Sequence, residues 1–170
     1  MKNHYTIIDR RNSFPCGEMI LGSFEGKLCL CDWADGKRRI TTNQRLHRIL
    51  KANFVEGSSD VIEMARQQLN EYFLNQRREF DIPLLFVGTD FQKKVWNELL
   101  KIQYGTIVSY GELAQRIGMP KSVRAIANAN AVNAISIIAP CHRVIGSDGS
   151  LTGYGGGLER KRYLLNLEIN

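Results

Sequence analysis

Ser109-Tyr110-Gly111-Glu112-Leu113-Ala114-Gln115-Arg116-Ile117-Gly118-Met119-Pro120 (residues 109–120) is the stretch on which the fold turns. Ser109 followed three residues later by Glu112 is a capping-box signature, so a helix is expected from there through Ile117. Gly118-Met119-Pro120 breaks it, and a second helix is expected to start at Pro120 or Lys121 and run to about Asn130. Two short helices joined by a tight glycine-containing turn form the helix-turn-helix pattern, whose second helix can lie in a DNA groove. Taken alone, the same pattern describes an ordinary helical hairpin. The second helix is rich in small side chains: Val123, Ile126 and Asn130 face one way, while Ser122, Ala125 and Ala129 leave a smooth opposite side. A smooth face allows close approach to either a groove wall or a neighbouring helix.

Following the chain outward, Ile137-Ile138-Ala139-Pro140-Cys141-His142-Arg143-Val144-Ile145 places a nucleophile, a base and a fixed cation between two apolar runs. Residues 135–139 read as a buried strand or the end of one, and Pro140, lacking an N–H, stops regular pairing just before Cys141. An arbitrary lone cysteine is most often a small buried hydrophobe. Three consecutive reactive or polar groups between apolar runs favour a presented thiol instead. Beyond it lie a turn at residues 146–150, a glycine-rich loop Gly153-Tyr154-Gly155-Gly156-Gly157, and a closing helix from Leu158 to near Glu168 bearing Arg160, Lys161 and Arg162. The loop matches neither phosphate-binding nor dinucleotide fingerprints, so no nucleotide cofactor is expected.

Toward the N-terminus, Thr89-Asp90-Phe91-Gln92 is another capping box, opening a helix to about Ile102 with Phe91, Val95, Trp96, Leu99 and Leu100 as its buried stripe. Asp60-Val61-Ile62-Glu63 reads as a third, opening a helix to about Gln76. Strands are expected at residues 5–8, 19–24 and 27–33, the last two joined at Glu25-Gly26. A short helix is expected at residues 43–50, and residues 80–85 read as extended. This first half carries no catalytic constellation. Two domains are expected, residues 1–85 as an α+β support and residues 86–170 as the functional half.

The sequence pI of about 9.3 and formal net charge of +6 hint at a polyanionic partner. Residues 86–170 hold 10 basic against 6 acidic residues and residues 1–85 hold 13 against 11, so the excess leans toward the half carrying Cys141. No apolar run approaches a membrane span, which excludes a membrane partner of that kind. Met1-Lys2-Asn3-His4-Tyr5 does not read as a secretory signal, so a cytoplasmic location is expected. Reduced thiols are then expected at Cys16, Cys29, Cys31 and Cys141. A zinc site from His4, Cys16, Cys29, Cys31 and His47 is disfavoured, because C-x-C is not the usual knuckle and no second pair supports it.

Pro140-Cys141-His142-Arg143-Val144, Ser109-Tyr110-Gly111-Glu112-Leu113-Ala114 and Gly153-Tyr154-Gly155-Gly156-Gly157-Leu158 together resemble the methylated-DNA–protein-cysteine methyltransferases, which repair O6-alkylguanine. The resemblance is dense from about Thr89 to Glu168 and thin before it. It implies a ribonuclease-H-like α+β domain followed by a winged helix-turn-helix domain. It implies that Cys141 accepts the alkyl group irreversibly, with His142 and Glu168 deprotonating it through a water. Tyr110 would promote flipping of the nucleotide and lie against the flipped base, and Arg124 would enter the base stack. Ser122, Ala125 and Ala129 would approach the groove, Asn133 would brace the reactive turn, and Tyr154, Gly155 and Gly156 would line the pocket. Double-stranded DNA bearing O6-alkylguanine is the implied partner, with O4-alkylthymine a second candidate lesion. A monomer with no cofactor and no metal, associated with the nucleoid through DNA, completes the expectation. Ala127-Asn128-Ala129-Asn130 and Ala134 depart from the glycines and proline common there, and Gly155 stands where some members have a small hydroxyl. Two other classes share parts of the pattern: a sensor that binds alkylated guanine without repairing it, and a Cys–His hydrolase.

Overall fold

The computed structural model describes residues 4–169 and divides the chain into two compact units, Met1–Gly88 and Thr89–Asn170. The expected reading of the first residues as no secretory signal falls largely on Met1, Lys2 and Asn3, outside the described residues. Among the described residues, no helix is long and apolar enough to cross a membrane.

The first unit is a four-stranded sheet with helices. Its strands are β1 (Tyr5–Phe14), β2 (Gly17–Phe24), β3 (Lys27–Trp33) and β4 (Asn53–Glu56); its helices are α1 (Arg39–Leu50) and α2 (Asp60–Phe73). The order is β3-β2-β1-β4, with β1–β2 and β2–β3 antiparallel and β1–β4 parallel, which is the ribonuclease-H-like arrangement. Glu25-Gly26 makes the β2–β3 turn with both residues at positive φ, a conformation glycine accepts without strain. α2 lays Ile62, Ala65, Leu69 and Tyr72 across β1, β2 and β3, where Met19, Leu21, Leu28 and Leu30 are buried. β4 is absent from the sequence reading, since four residues with a parallel, distant partner leave no local period. α1 begins four residues earlier than expected. The α2 cap is Ser59, not Asp60: Ser59 is extended and its hydroxyl accepts from Ile62 N–H, while Asp60 is already the first helical residue. Residues 80–85 form only one isolated bridge, Leu28 to Leu84, beside Pro83, whose ring nitrogen cannot donate.

The second unit holds α3 (Asp90–Leu99), β5 (Val108–Ser109), α4 (Tyr110–Arg116), α5 (Val123–Ala131), β6 (Val144–Ile145) and α6 (Leu158–Ile169), with a single 3₁₀ turn at Cys141–Arg143. Thr89 and Gln92 form the full reciprocal capping box of α3. Val95, Trp96 and Leu99 are its buried stripe, and Leu100, expected with them, is 43% exposed. α3 and α4 both pack on α5, and the Trp96 indole N–H donates to Ala129 O at 2.9 Å, pinning α5 to α3. α4 ends at Arg116 with Gly118 (φ 72) turning the chain beyond its C-cap, and α5 starts at Val123 rather than Pro120 or Lys121 because residues 119–122 form a turn closed by Ser122 N–H on Met119 O.

Candidate active site

The reactive segment is a turn, not the strand expected for residues 135–139. The Asn133 side chain takes over the hydrogen bonding a ladder would supply. Its Oδ1 accepts from Ile135 N–H at 3.0 Å, and its Nδ2 donates to Ala139 O at 2.9 Å and Ile135 O at 3.2 Å. Ile137 is held at φ 71, a left-handed conformation that a β-branched residue adopts only where its surroundings over-determine it. Pro140 sits at φ −80, ψ 66 with Cys141 N–H bonded to Ala139 O at 2.7 Å, an inverse γ-turn. The chain therefore reverses immediately before Cys141. Val144 and Ile145 then pair in parallel with Val108 and Ser109. That pairing sets Ser109, the α4 N-cap, beside the exit of the reactive turn and starts α4 with Tyr110.

His142 and Glu168 meet, as the resemblance implied: His142 Nε2 lies 2.7 Å from Glu168 Oε2, with both side chains buried. Arg143 grips the same carboxylate with Nε on Oε1 at 2.8 Å and Nη2 on Oε2 at 3.0 Å, and donates through Nη1 to Ile102 O at 2.6 Å. Burial alone would push the Glu168 carboxyl up, but hydrogen bonds from His142 and Arg143 and the charge of Arg143 hold it well below the usual carboxylate range. Glu168 is thus an anion that can only accept, so His142 Nε2 carries the proton between them. Burial lowers the His142 pKa despite Glu168, with Arg143 and Lys161 pushing the same way, so the imidazole is neutral. Its other nitrogen, Nδ1, then has a lone pair, is buried, and has no hydrogen-bond partner among the described residues. A base with its far nitrogen anchored, one residue from a buried thiol, is what nucleophile activation requires.

Tyr110 is 6% exposed and donates its hydroxyl to Thr152 O at 2.9 Å. Burial raises its pKa, and the nearby Cys141 adds to the shift, so the phenol keeps its proton. The loop can approach only because residue 153 is glycine: a Cβ there would sit 2.8 Å from the Tyr110 hydroxyl oxygen, and Gly153 has φ 72. A Cβ at Gly155 would lie 3.1 Å from Ala131 O, so little room exists for the small hydroxyl residue of some relatives. Tyr154 is buried and Gly156 O accepts from Arg160, folding the loop onto the start of α6.

Lys161, which the sequence places only on a charged helix face, is 0% exposed. Its Nζ donates to Val144 O at 2.5 Å and Thr152 O at 2.8 Å, and lies 5.9 Å from the Tyr110 ring centroid. Desolvation brings its pKa down to about 8, against the attraction of Cys141. A sequence signal for it exists: Lys161, Leu164 and Glu168 share one helical face and are the buried residues of α6.

On α5, Arg124 and Ala125 are exposed, and Ser122 just before it is intermediate. Ala129 is a correction. It is 3% exposed and sits on the packed side with Ile126 and Asn130, because the helix turns that face toward Trp96 of α3. Val123, expected beside Ile126, is exposed instead. The four cysteines are all thiols. Cys29 and Cys31 are buried, and desolvation pushes Cys29 up to about 12. Among the described residues no group of three or more His, Cys, Asp or Glu is placed to hold a metal.

Residues 90–170 match the family described as 6-O-methylguanine DNA methyltransferase, DNA binding domain. The methylated-DNA–protein-cysteine methyltransferase of Methanosarcina barkeri is 44% identical over 167 residues, 98% of each chain. The constitutive enzyme of Bacillus subtilis is 39% identical over 172 residues, covering 98% of this chain and 95% of its own. In three dimensions, the crystal structure of Mycobacterium tuberculosis OGT in complex with DNA superposes with a TM-score of 0.81 at 42% identity, covering 96% of this chain and 92% of that one. Identity at this level across nearly the whole of both chains makes the chain a member of the methylated-DNA–protein-cysteine methyltransferase family.

Proposed function

We propose that this protein repairs O6-alkylguanine in duplex DNA by moving the alkyl group irreversibly onto Cys141, one event per molecule. The observation that carries this is the His142 imidazole: Glu168 fixes its Nε2–H, leaving the buried Nδ1 lone pair to draw the proton from Cys141, through a water where direct reach fails. An unperturbed thiol is only a few per cent thiolate at neutral pH, so this assistance matters. The thiolate attacks the alkyl carbon; the S–C bond forms, the C–O6 bond breaks, and the electron pair leaves with guanine. Tyr110, a neutral phenol at the pocket, supplies a proton donor to the leaving base. A thioether is a poor leaving group, so Cys141 is not regenerated.

Arg124, exposed on α5, fills the gap in the stack as the lesion leaves the duplex, offsetting a flipping cost of a few kcal/mol. Asn133 holds the reactive turn, while Tyr154, Gly155 and Gly156 close over the base. Residues 86–170 perform this work and residues 1–85 support it. The protein acts as a monomer, in the cytoplasm and on the nucleoid, and O4-alkylthymine is a second substrate class. A sensor that binds without repairing needs no thiol at position 141, so Cys141 counts against that reading. Incubation with duplex DNA bearing O6-methylguanine, followed by mass spectrometry, is the test. One methyl group on Cys141 in stoichiometric amount is expected; an unmodified protein overturns the reading.

A further inference from the structure

Two asparagines three residues apart leave the end of α5 and reach the carbonyls on either side of Pro140-Cys141. Asn133 holds Ala139 O. Asn130 holds Cys141 O, with Nδ2 at 3.2 Å, and the same nitrogen lies 3.5 Å from the Tyr110 hydroxyl. Asn130 is 1% exposed, and its Oδ1 is buried with no partner among the described residues. The opposite amide orientation would set Oδ1 against the carbonyl of Cys141, acceptor facing acceptor, so the network fixes the amide with its nitrogen toward both oxygens. A leucine has the same branched skeleton, leaves no orphaned acceptor and has better helix propensity. A polar side chain kept here at that cost has a task that packing does not explain.

We propose that Asn130 is a positioning residue for alkyl transfer, tying the recognition helix to the Cys141 carbonyl and the Tyr110 hydroxyl so that one amide registers nucleophile and proton donor together. The inference rests on the reading of Cys141 as acceptor. The Tyr110 oxygen has one proton, which it gives to Thr152 O. An N–H from Asn130 on the other side of that oxygen occupies a lone pair, so the oxygen stays in place while its single proton turns from Thr152 O to an arriving base. The same amide keeps the Cys141 carbonyl turned toward α5, which sets the direction of the cysteine side chain in its short 3₁₀ turn. Because α5 also carries Arg124, the helix that meets DNA and the residue that attacks the lesion become one rigid piece.

The test measures single-turnover methyl transfer from O6-methylguanine duplex DNA by the full chain, with affinity for undamaged duplex as the check that each variant is folded. Asn130→Leu is expected to slow transfer about tenfold, the equivalent of one buried hydrogen bond, with duplex affinity unchanged. Asn130→Asp is isosteric but sets a carboxylate against the Cys141 carbonyl and accepts the tyrosine proton, so its loss is expected to be larger. In the Tyr110→Phe background Asn130→Leu should cost distinctly less than in the parent, since one of the two groups it positions is already gone. Parent-like transfer by Asn130→Leu and Asn130→Asp, or losses that simply multiply with Tyr110→Phe, would overturn the proposal. If the unsubstituted protein itself transfers no methyl group, it is the acceptor reading of Cys141 that fails.

Discussion

Both units of this protein bury charge, and they do it in opposite ways. In the first, the buried carboxylates pair with separate guanidiniums: Asp9 with Arg66, which also reaches the exposed Glu63, and Asp32 with Arg39. In the second, one carboxylate serves several donors. Glu168 accepts from His142, from two nitrogens of Arg143 and, at 3.4 Å, from Gly105 N–H, while Lys161 is buried on two carbonyl oxygens with no ion-pair partner among the described residues. A pair that closes on itself holds two elements together. A site with surplus positive charge, a neutral imidazole and a thiol nearby is arranged for a charge that arrives later, on sulfur and then on the leaving base.

The contrast breaks most sharply at Cys141. Cys141→Ser should abolish methyl transfer while leaving duplex binding near the parent level, since the thiol is buried and Arg124 and Ala125 face outward. Transfer to any other residue, read by peptide mass mapping, would refute it. Glu168→Gln comes next. It leaves Arg143 buried against a neutral amide, a loss of about 3 kcal/mol in stability, and it frees the His142 tautomer, with transfer falling by about 10². Denaturant melts and single-turnover rates measure the two effects separately. In acid the same pair weakens the parent. Glu168 has a depressed pKa, so its contribution is present above the usual carboxylate range and fades below it; His142, also depressed, is penalised once pH falls below its unfolded value near 6.5. Stability should therefore decline from about pH 6.5 downward; Glu168→Gln should remove the part of the decline in the carboxylate range and steepen the part that His142 carries, since Glu168 raises the His142 pKa.

Lys161 gives a pH signature of the opposite sense. Its folded pKa of about 8 lies below the ordinary lysine value, so the unfolded chain binds more protons between those limits. Stability carried by this group therefore rises as pH increases through that window, and Lys161→Met removes the rise. Cys29 and Tyr110, whose pKa values are raised by burial, act in the other direction, so the difference between parent and variant is the quantity to read. Transfer should run the other way, slowing in the parent above about pH 8 as the cation beside Cys141 and Tyr110 is lost. A Lys161→Met protein whose rate matches the parent across this range would remove Lys161 from the site.

How much of this is legible in the chain alone follows the range of the interactions. Helices with local caps are readable: Thr89 and Gln92 cap each other three residues apart, and Ser109 caps α4. The short motif around Cys141 carries the chemistry because its residues are adjacent. The Asn133 brace and the meeting of His142 with Glu168 come only through the family resemblance, since no periodicity links positions 26 residues apart. Lys161 is signalled only by the helical face it shares with Leu164 and Glu168, since a lysine between two arginines otherwise reads as solvated surface, and Asn130, near a helix end, carries no local signal of its contacts. Their partners are backbone carbonyls, which carry no sequence signal. The strand expected before Pro140 fails for a related reason: the apolar run 135–139 marks burial, and Asn133, a side chain outside that run, replaces the strand partner.

The smallest effect belongs to the first unit. Arg66→Met removes the guanidinium from Asp9, which remains 3% exposed but still accepts from Arg11 N–H at 2.9 Å. The Arg66 side chain is itself 26% exposed, so water reaches the site and the loss should be nearer about 1–2 kcal/mol than the cost of breaking a fully buried pair. Methyl transfer per folded molecule should not change, because no atom of this pair belongs to the unit that carries Cys141. An Arg66→Met protein that melts earlier yet transfers at the parent rate would separate closed structural pairs from the open, asymmetric charge around Glu168. A matching fall in transfer rate would show instead that the two kinds of buried charge are coupled.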